Sequence, residues 1–146
     1  MFLNHFHMSQ HPFSEKPPID FLLKDSRFSE ALSRLAFFQK EGQIALILGQ
    51  TGVGKSSLLR CFTRSLPQNR CQPLYLSLTS ISPNALLRSI VIKLGETPRF
   101  SKDRLFLQIV EKIQKIEPET LIIVDEAHLL LSESLTDLRL LSSCGF

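Results

Sequence analysis

The chain has 146 residues, of which 43% are hydrophobic and 21% are charged, and its formal net charge is +3. This length suffices for one hydrophobic core but hardly for two, so we expect a single domain. The charge is mild and no dense run of lysine and arginine occurs, so the composition permits contact with nucleic acid without indicating it.

The three cysteines and the apolar runs bear on the compartment. Cys61, Cys71 and Cys144 share no close metal-ligand spacing, and an odd number is a poor basis for a disulfide framework. Free thiols in a reducing cytosol are the simpler interpretation. No apolar run approaches the roughly 20 residues that a membrane span requires, and the first residues resemble no leader. We therefore expect a cytoplasmic protein without membrane insertion.

The first third of the chain divides into an irregular segment and the start of a domain. Residues 1–28 contain prolines among scattered aromatics, which predicts an extended segment laid over a domain that occupies 29–146. Apolar positions at helical spacing predict a helix over 29–40, which ends near Gly42. The unbroken apolar run 44–48 predicts a strand that is buried on both faces of a parallel sheet.

The rest of the chain alternates between helical and strand patterns. Helices are predicted from about Lys55 to Pro67, from Pro83 to Gly95, over 102–116 and over 133–142, and strands over 74–78 and 121–124. Strands that alternate with helices imply right-handed crossovers. The predicted class is therefore α/β, a parallel sheet with helices on both faces.

A glycine-rich motif at 49–56 lies between a predicted strand and a predicted helix. It satisfies the pattern G-x-x-x-x-G-K-[ST] at every fixed position, so its N–H groups and the following helix end are expected to hold phosphates. Lys55 is expected to reach the β- and γ-phosphates of ATP, and the Ser56 hydroxyl to ligate Mg²⁺. A turn that only caps a helix is the alternative. The candidate nucleotide-binding residues are Gly49, Gln50, Thr51, Gly52, Val53, Gly54, Lys55, Ser56 and Ser57.

Two adjacent acids end the predicted strand 121–124, the arrangement of a Walker B element. Asp125 is expected to order the magnesium shell together with Ser56. Glu126 is placed to polarise a water for attack on the γ-phosphate, so Lys55 and Glu126 are the candidate catalytic residues. An ordinary strand end that enters a solvated loop is the alternative. An acid directly after the aspartate favours hydrolysis of ATP over phosphotransfer.

Two further groups of residues leave alternatives open. The string Asp-Glu-Ala-His at 125–128 suggests a nucleic-acid helicase, but the threonine- and arginine-bearing motif of such helicases has no counterpart in 77–83. A helicase is therefore the third reading of the function. Tyr75 is interpreted as a core residue, with Phe13 or Phe28 as candidate neighbours of the adenine base.

The nucleotide motifs, together with Asn-His-Phe at 4–6, Pro-Phe at 12–13 and the helix over 29–38, resemble a known family. The chain is similar to AAA+ ATPases of the general secretion pathway A type and their relatives in transposition, an origin-recognition-like group. The likeness covers residues 2–143. It implies a switch that binds ATP and Mg²⁺ between subunits of a homo-oligomer, changes its assembly on hydrolysis, and acts on DNA with a transposase or on a membrane-associated partner.

The same resemblance implies elements that the sequence does not contain. A sensor strand, an arginine finger and a helical lid are expected after residue 141, and the sensor strand would lie between the strands at 44–48 and 121–125. We therefore expect a three-layer P-loop NTPase sandwich with an incomplete AAA+ core that lacks sensor strand and lid. The chain would be a truncated reading frame or a fragment, with 144–146 as an unrelated tail. Loss of a central strand would leave unpaired backbone groups and apolar faces on the flanking strands. Such a truncated core is expected to bind phosphate but to hydrolyse ATP poorly. The alternative to an ATPase switch is then a non-catalytic nucleotide-binding module that joins full-length relatives.

Overall fold

The computed structural model of the protein describes residues 2–8, 11, 18–67, 69–77 and 82–144. Within these residues the α-helices are α1 (Phe2–His5), α2 (Ser26–Glu41), α3 (Lys55–Ser65), α4 (Pro83–Lys93), α5 (Lys102–Ile113) and α6 (Ser132–Ser143). The strands of the same residues are β1 (Cys71–Ser77) and β2 (Glu119–Asp125), and 3₁₀-helices occupy Ile19–Phe21 and Ala127–Leu129.

The two strands form a parallel pair in which Cys71 lies opposite Glu119 and Ser77 lies opposite Asp125. The connection between them carries α4 and α5, as a crossover between parallel strands requires. The strands predicted over 74–78 and 121–124 are thus confirmed as parallel neighbours, although each begins earlier than predicted. Leu78 lies outside the described residues.

Helices α4, α5 and α6 cover one face of the sheet. Leu76 of β1 packs there with Leu86, Ile109 and Leu141, one side chain from each helix. All four side chains are at most 1% exposed, and Val124 of β2 packs against the same cluster. This is the larger of the two apolar clusters and supplies most of the hydrophobic burial.

Helices α2 and α3 cover the opposite face. Leu35 of α2 packs with Leu58 and Phe62 of α3, and Leu121 of β2 lies against them. The sheet is therefore the middle layer of three, with helices on both sides. This arrangement confirms the predicted three-layer α/β sandwich.

The starts of α2 and α4 follow local capping signals. The Asp25 carboxylate accepts a hydrogen bond of 2.8 Å from the N–H of Phe28, so α2 begins at Ser26, three residues earlier than predicted. The Ser82 hydroxyl accepts one of 3.3 Å from Ala85, which confirms the predicted start of α4. The helices predicted near Lys55, over 102–116 and over 133–142 are also present as α3, α5 and α6, although α5 ends three residues earlier than predicted.

The apolar segment 44–48 is not a strand, and the prediction of a strand buried on both faces is wrong. Ile44, Leu46 and Leu48 are 62%, 72% and 82% exposed. Within the described residues, β2 pairs with β1 along one edge, and an apolar groove of about 450 Å³ separates its central residues from 44–47. The main chain of 44–48 therefore pairs with neither strand of the sheet. The groove is where the resemblance places a further strand.

The segment 1–28, predicted to be extended, contains the short helix α1 and the 3₁₀-helix Ile19–Phe21. Asp20 lies 3.6 Å from a guanidinium nitrogen of Arg64 on α3, which places this part of the segment against the domain. The Pro-Phe pair at 12–13 and the last two residues of the predicted tail lie outside the described residues. Among the helices of the described part, none has the length and apolarity needed to cross a membrane.

Candidate functional site

The loop over 49–54 bends through two glycines in the left-handed region. Gly52 has φ +85° and Gly54 has φ +94°, and a Cβ atom added to either would meet nothing within 4 Å. The backbone angle, not lack of space, therefore requires glycine at both positions. The carbonyl of Gly54 accepts the N–H of Leu58 at 2.8 Å, which starts the first turn of α3.

The first turn of α3 presents main-chain N–H groups at the end of the loop. The helix has no side-chain cap and no acidic residue in this turn. The N–H groups of Lys55, Ser56 and Ser57 belong to the first turn, which has no carbonyl acceptor within its own helix. They lie at the positive end of the helix dipole, an arrangement suited to a phosphate group.

The Lys55 side chain lies over this loop. Its ammonium nitrogen is 2.9 Å from the carbonyl oxygen of Gly49 and 2.9 Å from that of Gln50. An ammonium group has three N–H donors, so these two contacts leave one for a phosphate oxygen. The loop carbonyls therefore hold the charge close to the end of α3.

Ser56 and Asp125 are 69 residues apart in the chain and in contact in the fold. The Ser56 hydroxyl donates a hydrogen bond of 3.2 Å to Oδ2 of Asp125. The contact forms because the carboxyl end of β2 meets the beginning of α3, the edge at which open α/β sheets bind ligands. Hydroxyl and carboxylate oxygens are the hard ligands that Mg²⁺ prefers, so the pair suits that ion.

Two more donors bind the Asp125 carboxylate. The Tyr75 hydroxyl donates to Oδ2 at 2.5 Å, and the N–H of Glu126 donates to Oδ1 at 3.0 Å. The bond from Tyr75 is the largest cause that holds the pKa of Asp125 below its usual value. The N–H of Glu126, the Ser56 hydroxyl and the Lys55 charge act in the same direction, whereas burial raises the pKa. Asp125 is thereby kept as the carboxylate that a metal ligand must be.

Tyr75 is more than the core residue that the sequence suggested. Its side chain is half-buried, and its hydroxyl contacts the acid of the adjacent strand. Burial, then the hydrogen bond and charge of Asp125, raise the pKa of the phenol. The sequence does contain a signal for this contact. Tyr75 lies between Leu74 and Leu76 on β1, so its side chain points to the face opposite those two leucines, and its ring carries a polar hydroxyl.

Glu126 has an uncommon backbone conformation. Its φ of 55° and ψ of 39° lie in the left-handed region, which non-glycine residues adopt at a cost of about 1 to 3 kcal/mol. Its carboxylate points to His128, whose Nδ1 lies 3.2 Å from Oε2. Both side chains are mostly exposed. Glu126 thus lies beside Asp125, with its acid group turned across the 3₁₀-helix Ala127–Leu129.

A match to a protein family shows which class of proteins the chain belongs to. Residues 39–145 match the family described as AAA domain, which is well over half of the chain. The chain belongs to the AAA domain family. No curated protein and no solved structure matches it significantly. The match confirms a nucleotide-binding P-loop protein of the AAA class, and the matched range contains the glycine loop and both acids.

The remaining candidate residues that the structure describes lie on the glycine loop or on α2. Gln50, Thr51 and Val53 are exposed on the loop. Phe28 packs against the α2 and α3 side chains, and its proximity to an adenine base stays a prediction. Phe13 lies outside the described residues.

The cysteines and the other metal-ligating side chains of the described residues form no separate metal site. Cys61 and Cys71 are buried free thiols, and Cys144 is an exposed one. No group of three or more His, Cys, Asp and Glu side chains in those ranges could hold a metal ion. The loop, α3 and the end of β2 therefore form the candidate site of the AAA domain.

Proposed function

We propose that the protein binds ATP with Mg²⁺ at residues 49–57 and Asp125, and that it hydrolyses the bound ATP. One observation carries the proposal: the Ser56 hydroxyl and the Asp125 carboxylate lie 3.2 Å apart, although distant elements supply them. A glycine turn that only capped α3 would need no acid at that place. The membership of the AAA domain family supports the same reading.

Each residue has a distinct role in this proposal. The N–H groups of the loop and of the first turn of α3 hold phosphate oxygens, and Lys55 neutralises the β- and γ-phosphates. Ser56 and Asp125 hold the magnesium ion, which when bound withdraws charge from the phosphate oxygens. Glu126 takes a proton from the attacking water. For this its carboxylate turns from His128 toward the phosphates.

The experiment is a titration of the full chain with labelled ATP, with and without Mg²⁺, followed by measurement of phosphate release. Glu126→Gln keeps the shape of the side chain but removes the base. We expect it to retain ATP and to lose turnover by roughly 10²- to 10⁴-fold. If folded wild-type protein takes up no ATP in a saturable manner, the proposal is wrong.

A second candidate is a non-catalytic nucleotide-binding module. The pairing of the Glu126 carboxylate with His128 favours it, because this pair turns the proposed base away from the loop. In this case Glu126→Gln leaves both ATP binding and phosphate release unchanged. Lys55→Ala weakens triphosphate binding under either candidate.

We also propose that ATP use is coupled to assembly with further AAA subunits, and through them to DNA with a transposase or to a secretion-related partner. This part rests on the resemblance of the nucleotide motifs and of the N-terminal residues 4–6 to that group. Light scattering of the protein with and without Mg²⁺ and ATP tests the assembly, and a labelled DNA duplex tests the partner. A monomer of unchanged size under all conditions contradicts the coupling.

A further inference from the structure

The Tyr75 hydroxyl reaches Asp125 because of the register of the sheet. Tyr75 lies opposite Ile123, two residues before Asp125 on the adjacent strand. Residues two apart on a strand share a face, so both side chains point to the layer of α2 and α3. The length of the phenol then brings its oxygen to 2.5 Å from Oδ2. The contact is a charge-assisted hydrogen bond, which is stronger than one between neutral groups.

The donors around Asp125 differ in what they do when an ion binds. The main-chain N–H of Glu126 fixes Oδ1 at 3.0 Å. Oδ2 receives Ser56 at 3.2 Å and Tyr75 at 2.5 Å. Ser56 is itself a proposed ligand of the ion, so its hydroxyl would bind the ion in the loaded state and no longer serve as a donor to Asp125. Of these two side-chain donors, Tyr75 is then the one that still orients Oδ2.

We propose that Tyr75 is a positioning residue for Asp125, with its hydroxyl holding the carboxylate in the orientation that receives the magnesium ion. This inference rests on the proposed function, since it needs the ion that accompanies ATP. A hydroxyl donor suits the task because it is neutral and does not repel the incoming cation. Donors that orient a metal ligand in this way set metal affinity, and their loss costs roughly 10- to 100-fold.

The competing explanation is that the Tyr75 ring only fills space beside β2. Tyr75→Phe separates the two because it keeps the ring and removes the oxygen atom alone. If the ring matters and the hydroxyl does not, the variant binds Mg²⁺ and ATP as the wild type does. A matched control is Ser89→Ala, which removes a half-buried hydroxyl that bonds the carbonyl of Ala85 at 2.8 Å on α4.

The experiment measures ATP affinity of the full chain over a series of free Mg²⁺ concentrations. We expect Tyr75→Phe to keep the affinity for ATP measured without Mg²⁺, because the loop and Lys55 are intact. The Mg²⁺ concentration that gives half of the gain in affinity should rise roughly 10- to 100-fold. Ser89→Ala should follow the wild type throughout. Equal Mg²⁺ dependence of Tyr75→Phe and wild type overturns the inference while the proposed function stands.

A spectroscopic measurement on the wild type covers the case in which Tyr75→Phe fails to fold. The chain has one tyrosine and no tryptophan, so tyrosine absorption and emission come from Tyr75 alone. Mg²⁺ with ATP should change both signals relative to ATP alone, because the partner of the hydroxyl gains a cation. An unchanged spectrum under saturating Mg²⁺ and ATP overturns the inference. Failure of wild-type protein to bind ATP at all overturns the proposed function and this inference together.

Discussion

Lys55 folds back onto its own loop, with its ammonium nitrogen 2.9 Å from the carbonyl oxygen of Gly49. The group is thus held at the end of α3 before any phosphate arrives. We predict that Lys55→Ala lowers ATP affinity about 10- to 100-fold, the equivalent of about 1.5 to 3 kcal/mol for a hydrogen bond to a charged group. Lys93→Ala, at the exposed end of α4, is the matched control in the same titration. Unchanged affinity in Lys55→Ala would remove the loop from the phosphate site.

A second prediction concerns two glycines with the same backbone angle and different surroundings. Gly54, before α3, and Gly95, after α4, have φ of +94° and +79°, and a Cβ atom would touch nothing at either. Alanine at each should lower the free energy of unfolding by about 1 to 2 kcal/mol, the cost of a left-handed side-chain residue. Only Gly54→Ala should also lose ATP affinity, because Gly54 shapes the loop. Denaturant unfolding and ATP titration of both variants check this.

An equal loss of ATP affinity in Gly95→Ala would mean that reduced stability, not loop shape, weakens binding. Gly95 therefore serves as the control for any substitution in the loop.

A third prediction concerns the segment 44–48, which pairs with neither strand and is largely exposed. Leu76 is 1% exposed in β1, whereas Leu46 is 72% exposed in the unpaired segment. Leu76→Ala should lower the free energy of unfolding by about 2 to 5 kcal/mol, the usual cost of a cavity in a core. Leu46→Ala should change it by less than about 0.5 kcal/mol, as exposed substitutions do. Similar losses in denaturant unfolding would show that 44–48 is buried in solution.

The contrast between these leucines shows which features the sequence could predict. The starts of α3 and α4 depend on residues next to them. The glycine loop that ends at Gly54 and the cap at Ser82 are therefore sufficient to predict where these helices begin. The run 44–48 has the composition of a buried strand, but burial depends on a neighbouring strand, which sequence periodicity does not contain. The contact of Tyr75 with Asp125 depends likewise on sheet register, so a residue type alone could not predict it.

A fourth prediction concerns pH. Lys112 Nζ lies 2.6 Å from Glu96 Oε1, and this hydrogen bond is the largest cause that lowers the pKa of Glu96 from 4.5. A carboxyl whose pKa is lower in the folded state stabilises the fold above its unfolded pKa, and this contribution disappears as the pH falls through the folded value. The melting temperature of the wild type should therefore fall more steeply below pH 4.5 than that of Glu96→Gln.

The control for that comparison is Glu111→Gln, which removes an exposed carboxylate from α5, the helix that carries Lys112. Its melting curves should follow the wild type across the acid range. If Glu96→Gln shows the same steepness as wild type, the pair with Lys112 does not contribute in solution.

The backbone of Glu126 supplies the last prediction. Its φ of 55° is unfavourable for any residue with a Cβ atom, so Glu126→Ala keeps the strain while Glu126→Gly removes it. Both variants lose the carboxylate and its contact with His128, so comparison of the two isolates the backbone. We expect the free energy of unfolding of Glu126→Gly to be about 1 kcal/mol higher than that of Glu126→Ala. This difference already allows for the greater freedom of glycine in the unfolded chain. Phosphate release should be lost equally in both, since neither has a base. If Glu126→Ala proves as stable as Glu126→Gly, the left-handed conformation is not held in solution, and the turn that places this acid beside Asp125 must differ there.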